Sequence, residues 1–145
     1  MQISVRELTL SDVFAIVEAE HACFALPWQE KDVLSVCKRV DFCGVVAEVG
    51  GEIVGYLLGL TLFENAEVLR LGTLPAYRGK GVGGAVLDAF FERVKARGAE
   101  RVFLEVRVSN LPAIRLYERK YFVRGRVREN YYENGESAVE MCKDL

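Results

Sequence analysis

The run Leu74-Pro75-Ala76-Tyr77-Arg78-Gly79-Lys80-Gly81-Val82-Gly83-Gly84 joins an apolar, strand-like segment to a helical pattern. Val82, Val86, Phe90 and Val94 recur every four residues, with Leu87 and Phe91 beside them. That periodicity predicts an amphipathic helix opening at Val82, with Gly98 just past its end. The first amides of a helix have no partner inside it and lie at the positive end of its dipole. The glycines at 79, 81, 83 and 84 let the backbone adopt positive φ and approach a ligand, and Arg78 and Lys80 add full charges. This is anion-binding chemistry, suited to a phosphate or diphosphate.

Gly79-x-Gly81-x-x-Gly84 also spells the dinucleotide fingerprint, and Glu105 falls near the acidic position it expects downstream. Fingerprint glycines follow their strand directly, however, whereas Pro75 to Arg78 intervene here. Only one further strand–helix unit follows, too little for a doubly wound sheet. The phosphate-loop pattern fails because no Gly-Lys precedes Ser or Thr. A glycine turn without a ligand would lose stability with nothing to offset it.

Glu105 lies in Val102-Phe103-Leu104-Glu105-Val106, a strand expected to be buried on both faces. A carboxylate there is costly unless it is used or paired. One reading is a general base acting, through a water, on an amine with a pKa of about 8. The other is a structural pair with Arg107.

The elements that must position these groups follow in order. Ile3–Arg6 reads as a strand, and Ser11 as the N-cap of a helix reaching Phe24. Pro27-Trp28 breaks that helix, and a short helix is expected from Glu30 to Arg39. Trp28 reads equally as a wall of a substrate groove or a core anchor. Phe42–Val49 and Glu52–Phe63 flank the hairpin turn Gly50-Gly51, and Glu67–Leu74 continues the antiparallel run. Arg101–Val106 then pairs in parallel across the long helix. Asn110 caps a helix that carries Pro112 in its first turn and ends near Lys120. Tyr121–Tyr131 and Ser137–Lys143 close the sheet. The fold class is mixed α/β (α+β): a single domain over residues 1–145 with a mostly antiparallel, seven-stranded sheet and helices on both faces.

At 145 residues, 51% hydrophobic and 28% charged, the chain is expected to be globular. A net charge of −2 argues against non-specific nucleic-acid binding. Arg124, Arg126 and Arg128 are expected on one solvated strand face. The first residues show no secretory pattern, and the longest apolar stretch, Ile53–Phe63, is too short to cross a bilayer, so a cytoplasmic setting is expected. Cys23, Cys37, Cys43 and Cys142 form no CxxC pair, and His21 and Cys23 point apart on a helix. No metal site or disulfide is expected.

Arg78-x-x-Gly81-x-Gly83 after Leu74-Pro75 resembles the acetyl-CoA loop of the GNAT N-acetyltransferases. Leu104-Glu105-Val106-Arg107-Val108-Ser109-Asn110, followed by Ala113-Ile114-x-Leu116-Tyr117-Glu118, resembles the branch that acetylates the N-terminal alanine of a ribosomal protein. Phe24-x-x-Pro27-Trp28 and Arg128-x-Asn130-Tyr131-Tyr132 are similar to that branch too, and the likeness covers nearly the whole chain. The resemblance implies acetyl-CoA as cosubstrate and a protein or peptide N-terminus as acceptor, in a monomer or weak dimer. It places the base at Glu105 and the acid for the leaving thiolate at Tyr117, although Tyr117 also suits a core. It implies cofactor contacts at Leu71, Thr73, Arg78, Gly79, Lys80, Gly81, Val82, Gly83, Gly84, Asn110 and Tyr117. The oxyanion donor falls on a strand bulge at the Leu71 or Thr73 amide, with Gly72 between them; Asn110 reads equally as a helix cap. Trp28, Tyr131 and Tyr132 are the implied acceptor contacts, edge-strand packing being the other reading of the tyrosines. One residue departs from the branch: Arg70 stands where it usually carries a neutral polar side chain. A lysine or small-amine acceptor, a non-catalytic CoA-binding module and an acyl-cysteine enzyme are the rival readings.

Overall fold

The computed structural model describes residues Met1–Leu145. Its strands are β1 (Ser4–Glu7), β2 (Phe42–Val49), β3 (Glu52–Leu62), β4 (Asn65–Thr73), β5 (Arg101–Arg107), β6 (Val123–Arg128) and β7 (Ala138–Asp144). Its α-helices are α1 (Val13–Cys23), α2 (Glu30–Cys37), α3 (Val82–Ala96) and α4 (Leu111–Arg119). The strands form one seven-stranded sheet in the order β1-β2-β3-β4-β5-β7-β6, in which only β4 and β5 run parallel. This is the expected mixed fold.

The apolar sequence pattern divides between two layers. Val82, Val86, Leu87, Phe90 and Val94 of α3, with Ile114 and Tyr117 of α4, join inward residues of β2–β5 and β7 in the larger core. Ile16 and Ala19 of α1 and Val33 of α2 pack with Val46, Tyr56 and Leu58 on the other face. Because α1 and α2 lie over β2, β3 and β4, that face is uncovered beyond β4. The expectation that β5 is buried on both faces is therefore wrong. Val102, Leu104 and Val106 enter the core, while Phe103, Glu105 and Arg107 alternate onto the open face.

Ser11 is not the cap that starts α1. A single 3₁₀ turn, Leu10–Asp12, precedes the helix, and the Asp12 carboxylate accepts from the Thr9 amide at 2.8 Å and from both Arg6 Nη atoms at 2.9 Å. The three arginines of β6 do not share a face either. The β6–β7 register slips between Arg124 and Val127, and that bulge inverts the alternation. Arg124 pairs with Glu118 of α4, whereas Arg126 pairs with Glu140 and Arg128 with Glu105 on the open face. Because β6 ends at Arg128, Tyr131 and Tyr132 belong to the β6–β7 connection and not to an edge strand. No helix is long and apolar enough to cross a membrane.

Candidate active site

The glycine loop has the form its sequence demands. Pro75–Tyr77 makes one 3₁₀ turn, Gly79 and Gly81 take φ of 74° and 88°, and Gly81 is the N-cap of α3. No side chain caps the helix. From Gly79 to Gly84, no main-chain amide donates to an acceptor within the chain; the first bond of α3 is from the Ala85 amide to the Gly81 carbonyl at 3.0 Å. The result is a run of adjacent, unused donors at a helix N-terminus, flanked by the exposed Lys80. Arg78 Nε donates to the Thr73 carbonyl at 3.1 Å, which ties the loop back to β4. Gly83 serves packing as well: a Cβ there would sit 2.8 Å from Leu116 of α4.

Beside the loop the sheet splits. The β4–β5 pairing runs only from Asn65↔Arg101 to Glu67↔Phe103, so β4 leaves β5 beyond Glu67. The Leu74 amide donates to Val54 of β3 at 2.9 Å. Alternation then aims the Leu71 and Thr73 amides at the unpaired edge. The bulge in β4 falls at Leu69, where the register against β3 slips between Leu58↔Arg70 and Gly59↔Val68. Gly72 is not part of it. Its missing Cβ makes room for Tyr56, whose hydroxyl would lie 2.5 Å from that atom.

Glu105 borders the split on the open face. Its partner is Arg128, not Arg107: Arg128 Nη1 donates to Oε1 at 2.9 Å. Its Oε2 is the one buried side-chain oxygen or nitrogen in the chain with no hydrogen-bond partner. Arg107 instead donates to Glu136 and Asn134, and its guanidinium stacks 3.9 Å from the centroid of Tyr132. Tyr131 and Tyr132 meet edge to face at 5.1 Å. The nearby Glu105 carboxylate and partial burial push the Tyr131 phenol up to about 12. Glu67, at the foot of the split, has its carboxyl raised above the usual range by burial and by Glu105. The two carboxylates share a pocket of about 220 Å³ with Phe103, Arg126 and Glu140. Glu67 was not singled out from sequence, and Arg128 only on a solvated strand face and within Arg128-x-Asn130-Tyr131-Tyr132; the pairing of β4 with β5, and of β6 with β7, is what brings them to Glu105.

Tyr117 lies on the opposite face, in the larger core, edge-on to Phe122 at 5.5 Å. Burial, with Tyr132 nearby, raises its phenol pKa above the ordinary value. Glu105 and Tyr117 are thus not neighbours on one surface; β5 separates them, and the split is where the two faces communicate. Asn110 is the N-cap of α4, its side chain accepting from the Ala113 amide at 3.3 Å.

Trp28 and Arg70 belong to a cluster that the sequence did not reveal. Glu20 of α1 is fully buried. It accepts from Arg70 Nη2 at 2.5 Å, from Arg70 Nε, from the Trp28 amide at 2.8 Å and from the Tyr56 hydroxyl. The Arg70 guanidinium lies 4.0 Å from the Phe24 ring centroid and 5.2 Å from that of Trp28. Removing one member of such a pair costs about 3–5 kcal/mol, because the other charge stays buried. Trp28 is therefore an anchor of the second core, stacked near Arg70 of β4. No three His, Cys, Asp or Glu side chains converge as a metal cluster, and the four cysteines are free thiols.

A split parallel pair thus lies beside an amide-rich loop at a helix N-terminus, in a mixed, mostly antiparallel sheet. The family model described as "Acetyltransferase (GNAT) family" matches residues 13–121, and the chain belongs to that family of acetyltransferases. It is 33% identical to an N-alpha-acetyltransferase of Sulfurisphaera tokodaii, over 97% of this chain and 92% of the relative. It is 32% identical to a putative ribosomal protein bS18-alanine N-acetyltransferase of Bacillus subtilis, over 95% of this chain and 93% of that one. Among solved structures, the ribosomal-protein-S18-alanine N-acetyltransferase of Escherichia coli superposes with a TM-score of 0.92 at 27% identity, covering 99% of this chain and 94% of that one.

Proposed function

We propose that this N-acetyltransferase moves an acetyl group from acetyl-CoA to the α-amino group of a protein N-terminus. The observation that carries this reading is the open edge of β4, with unused loop amides beyond one end and the unpartnered Glu105 oxygen across the gap. The names of the relatives, which act on N-terminal amines, support the acceptor class. The amides from Gly79 to Gly84 hold the diphosphate of CoA, with Arg78 and Lys80 adding charge. The amide of Leu71 or Thr73 stabilises the thioester oxygen as it becomes negative. The acceptor enters along the open face between Trp28 and the Tyr131–Tyr132 pair. Glu105 Oε2 takes the amine proton through a water, the nitrogen attacks the thioester carbon, the C–S bond breaks, and Tyr117 protonates the departing thiolate. Asn110 is assigned to the cap of α4, with its side-chain NH₂ left to face the pantetheine arm. Free thiols suit a reducing cytoplasm.

The test is thiol release from acetyl-CoA in the presence of peptides with varied N-termini, N-blocked peptides containing lysine, and small amines. Turnover is expected with free N-termini. Faster turnover with the blocked lysine peptides or small amines overturns the acceptor assignment.

A further inference from the structure

The Arg70 cluster offers more than a brace between α1 and β4. A guanidinium has five N–H donors. Glu20 engages Nε and Nη2, and no acceptor in the chain engages Nη1. The side chain is 18% exposed while Glu20 is at 0%, so the guanidinium is fixed on one edge and open on the other. The Phe24 and Trp28 rings confine it further. Arg6 of the same chain shows what such a second edge does, bridging Asp12 on one side and Glu48 on the other.

The open edge lies where the acceptor must come. Arg70 immediately precedes Leu71, whose amide points into the split, and its side chain is on the same sheet face as Glu105. It sits across the split from the Arg107–Tyr132 stack, and its charge acts on the Tyr132 phenol. Because Arg70 adjoins Leu71 in β4, the residue of an acceptor closest to a thioester held at the Leu71 amide, its first, is also the one closest to Arg70. Glu20 already balances the positive charge, so what remains is a set of oriented donors and not a net field.

Resting on the reading of the acceptor as a peptide N-terminus, we propose that Arg70 is a specificity-determining residue that favours a first residue whose side chain carries an oxygen, Ser, Thr or Asp, over an apolar one of the same size. An apolar side chain there strips water from N–H groups and gives them nothing in return, whereas a hydroxyl or carboxylate satisfies them.

The experiment uses peptides identical except at the first residue, pairing Thr with isosteric Val and Ser with Ala. In the native protein kcat/KM for Thr is expected to exceed that for Val by about tenfold or more. In the double variant Glu20→Gln/Arg70→Gln, which leaves no buried charge unpaired, the ratio is expected to fall to near one. In Arg70→Lys, which keeps the charge but lacks the planar second edge, it falls as well. Calorimetric binding of acetyl-CoA shows that each variant is folded; a purely bracing role for Arg70 would change rates for all peptides alike and leave the ratio in place. A native ratio of one or less, or a ratio unchanged in the folded variants, overturns the proposal. If the double variant does not fold, the native and Arg70→Lys ratios decide. Refusal of every peptide by a protein that acetylates small amines is a different result: it removes the peptide reading and this proposal with it.

Discussion

Glu105 is held by one oxygen and free at the other. Arg128 occupies Oε1, which fixes the carboxylate, and Oε2 is left buried without a partner, the unusual condition for a polar atom in a folded protein. An atom so placed is explained by a water or substrate that completes it. Glu105→Gln keeps the shape and removes the base, so kcat is expected to fall about a hundredfold or more while acetyl-CoA binding, measured by calorimetry, is retained. An unchanged kcat would take Glu105 out of the mechanism. Tyr117 is the complementary case. Burial holds its phenol above the ordinary range, so it keeps its proton to higher pH than a free tyrosine with a pKa of about 10. Titration of Tyr117 therefore produces no alkaline fall in kcat below pH of about 10, and Tyr117→Phe lowers kcat across that whole range; a phenylalanine variant with native kcat would leave Tyr117 a core residue only. Both residue types could be picked out from the sequence. Their partners could not, because Arg128 is 23 positions from Glu105 and reaches it only through β7.

At the scale of elements, the loop and α3 were the most legible part of the chain. Helix start, glycine positions and the stop at Gly98, with φ of 99°, all follow from local chemistry, which sequence encodes directly. The sites that escaped are those set by register. The bulge at Leu69 and the slip after Arg124 change which face a side chain occupies, and nothing in the local pattern marks either one. The start of α1 shows the same limit on a smaller scale, since Asp12 prevails over Ser11 because Arg6 of β1 is there to pair with it. Gly81 gives the loop its sharpest test. At φ of 88° a β-branched side chain is strained, although a Cβ would meet no neighbour within 4 Å. Gly81→Val is therefore expected to distort the amide run without disturbing the core, and to abolish acetyl-CoA binding in a protein whose melting temperature changes little. Native affinity for acetyl-CoA in that variant would show that the amides do not form the cofactor site.

The whole molecule is a sheet with unlike faces, and the split makes them one site. In the function proposed above, CoA at the head of α3 and an acceptor on the open face would approach the gap from opposite sides, an arrangement that calls for no covalent relay. The chain is also poorly equipped for such a relay. Cys23 lies beside the split, where its sulfur donates to the Thr73 carbonyl at 3.2 Å. Burial raises its pKa above the usual thiol value, keeping it protonated and a weak nucleophile at neutral pH. Cys37 and Cys43 are raised for the same reason. His21 precedes Cys23 by two positions on α1 and faces away, so no base is paired with that sulfur. Direct transfer in a ternary complex makes a kinetic prediction. Double-reciprocal plots of rate against acceptor at several acetyl-CoA concentrations should intersect, and acetyl-CoA alone should leave the protein's mass unchanged. Parallel lines, together with a mass gain of one acetyl group that Cys23→Ala removes, would show instead that the chain carries the acetyl group itself, and the two-sided geometry would then have another purpose.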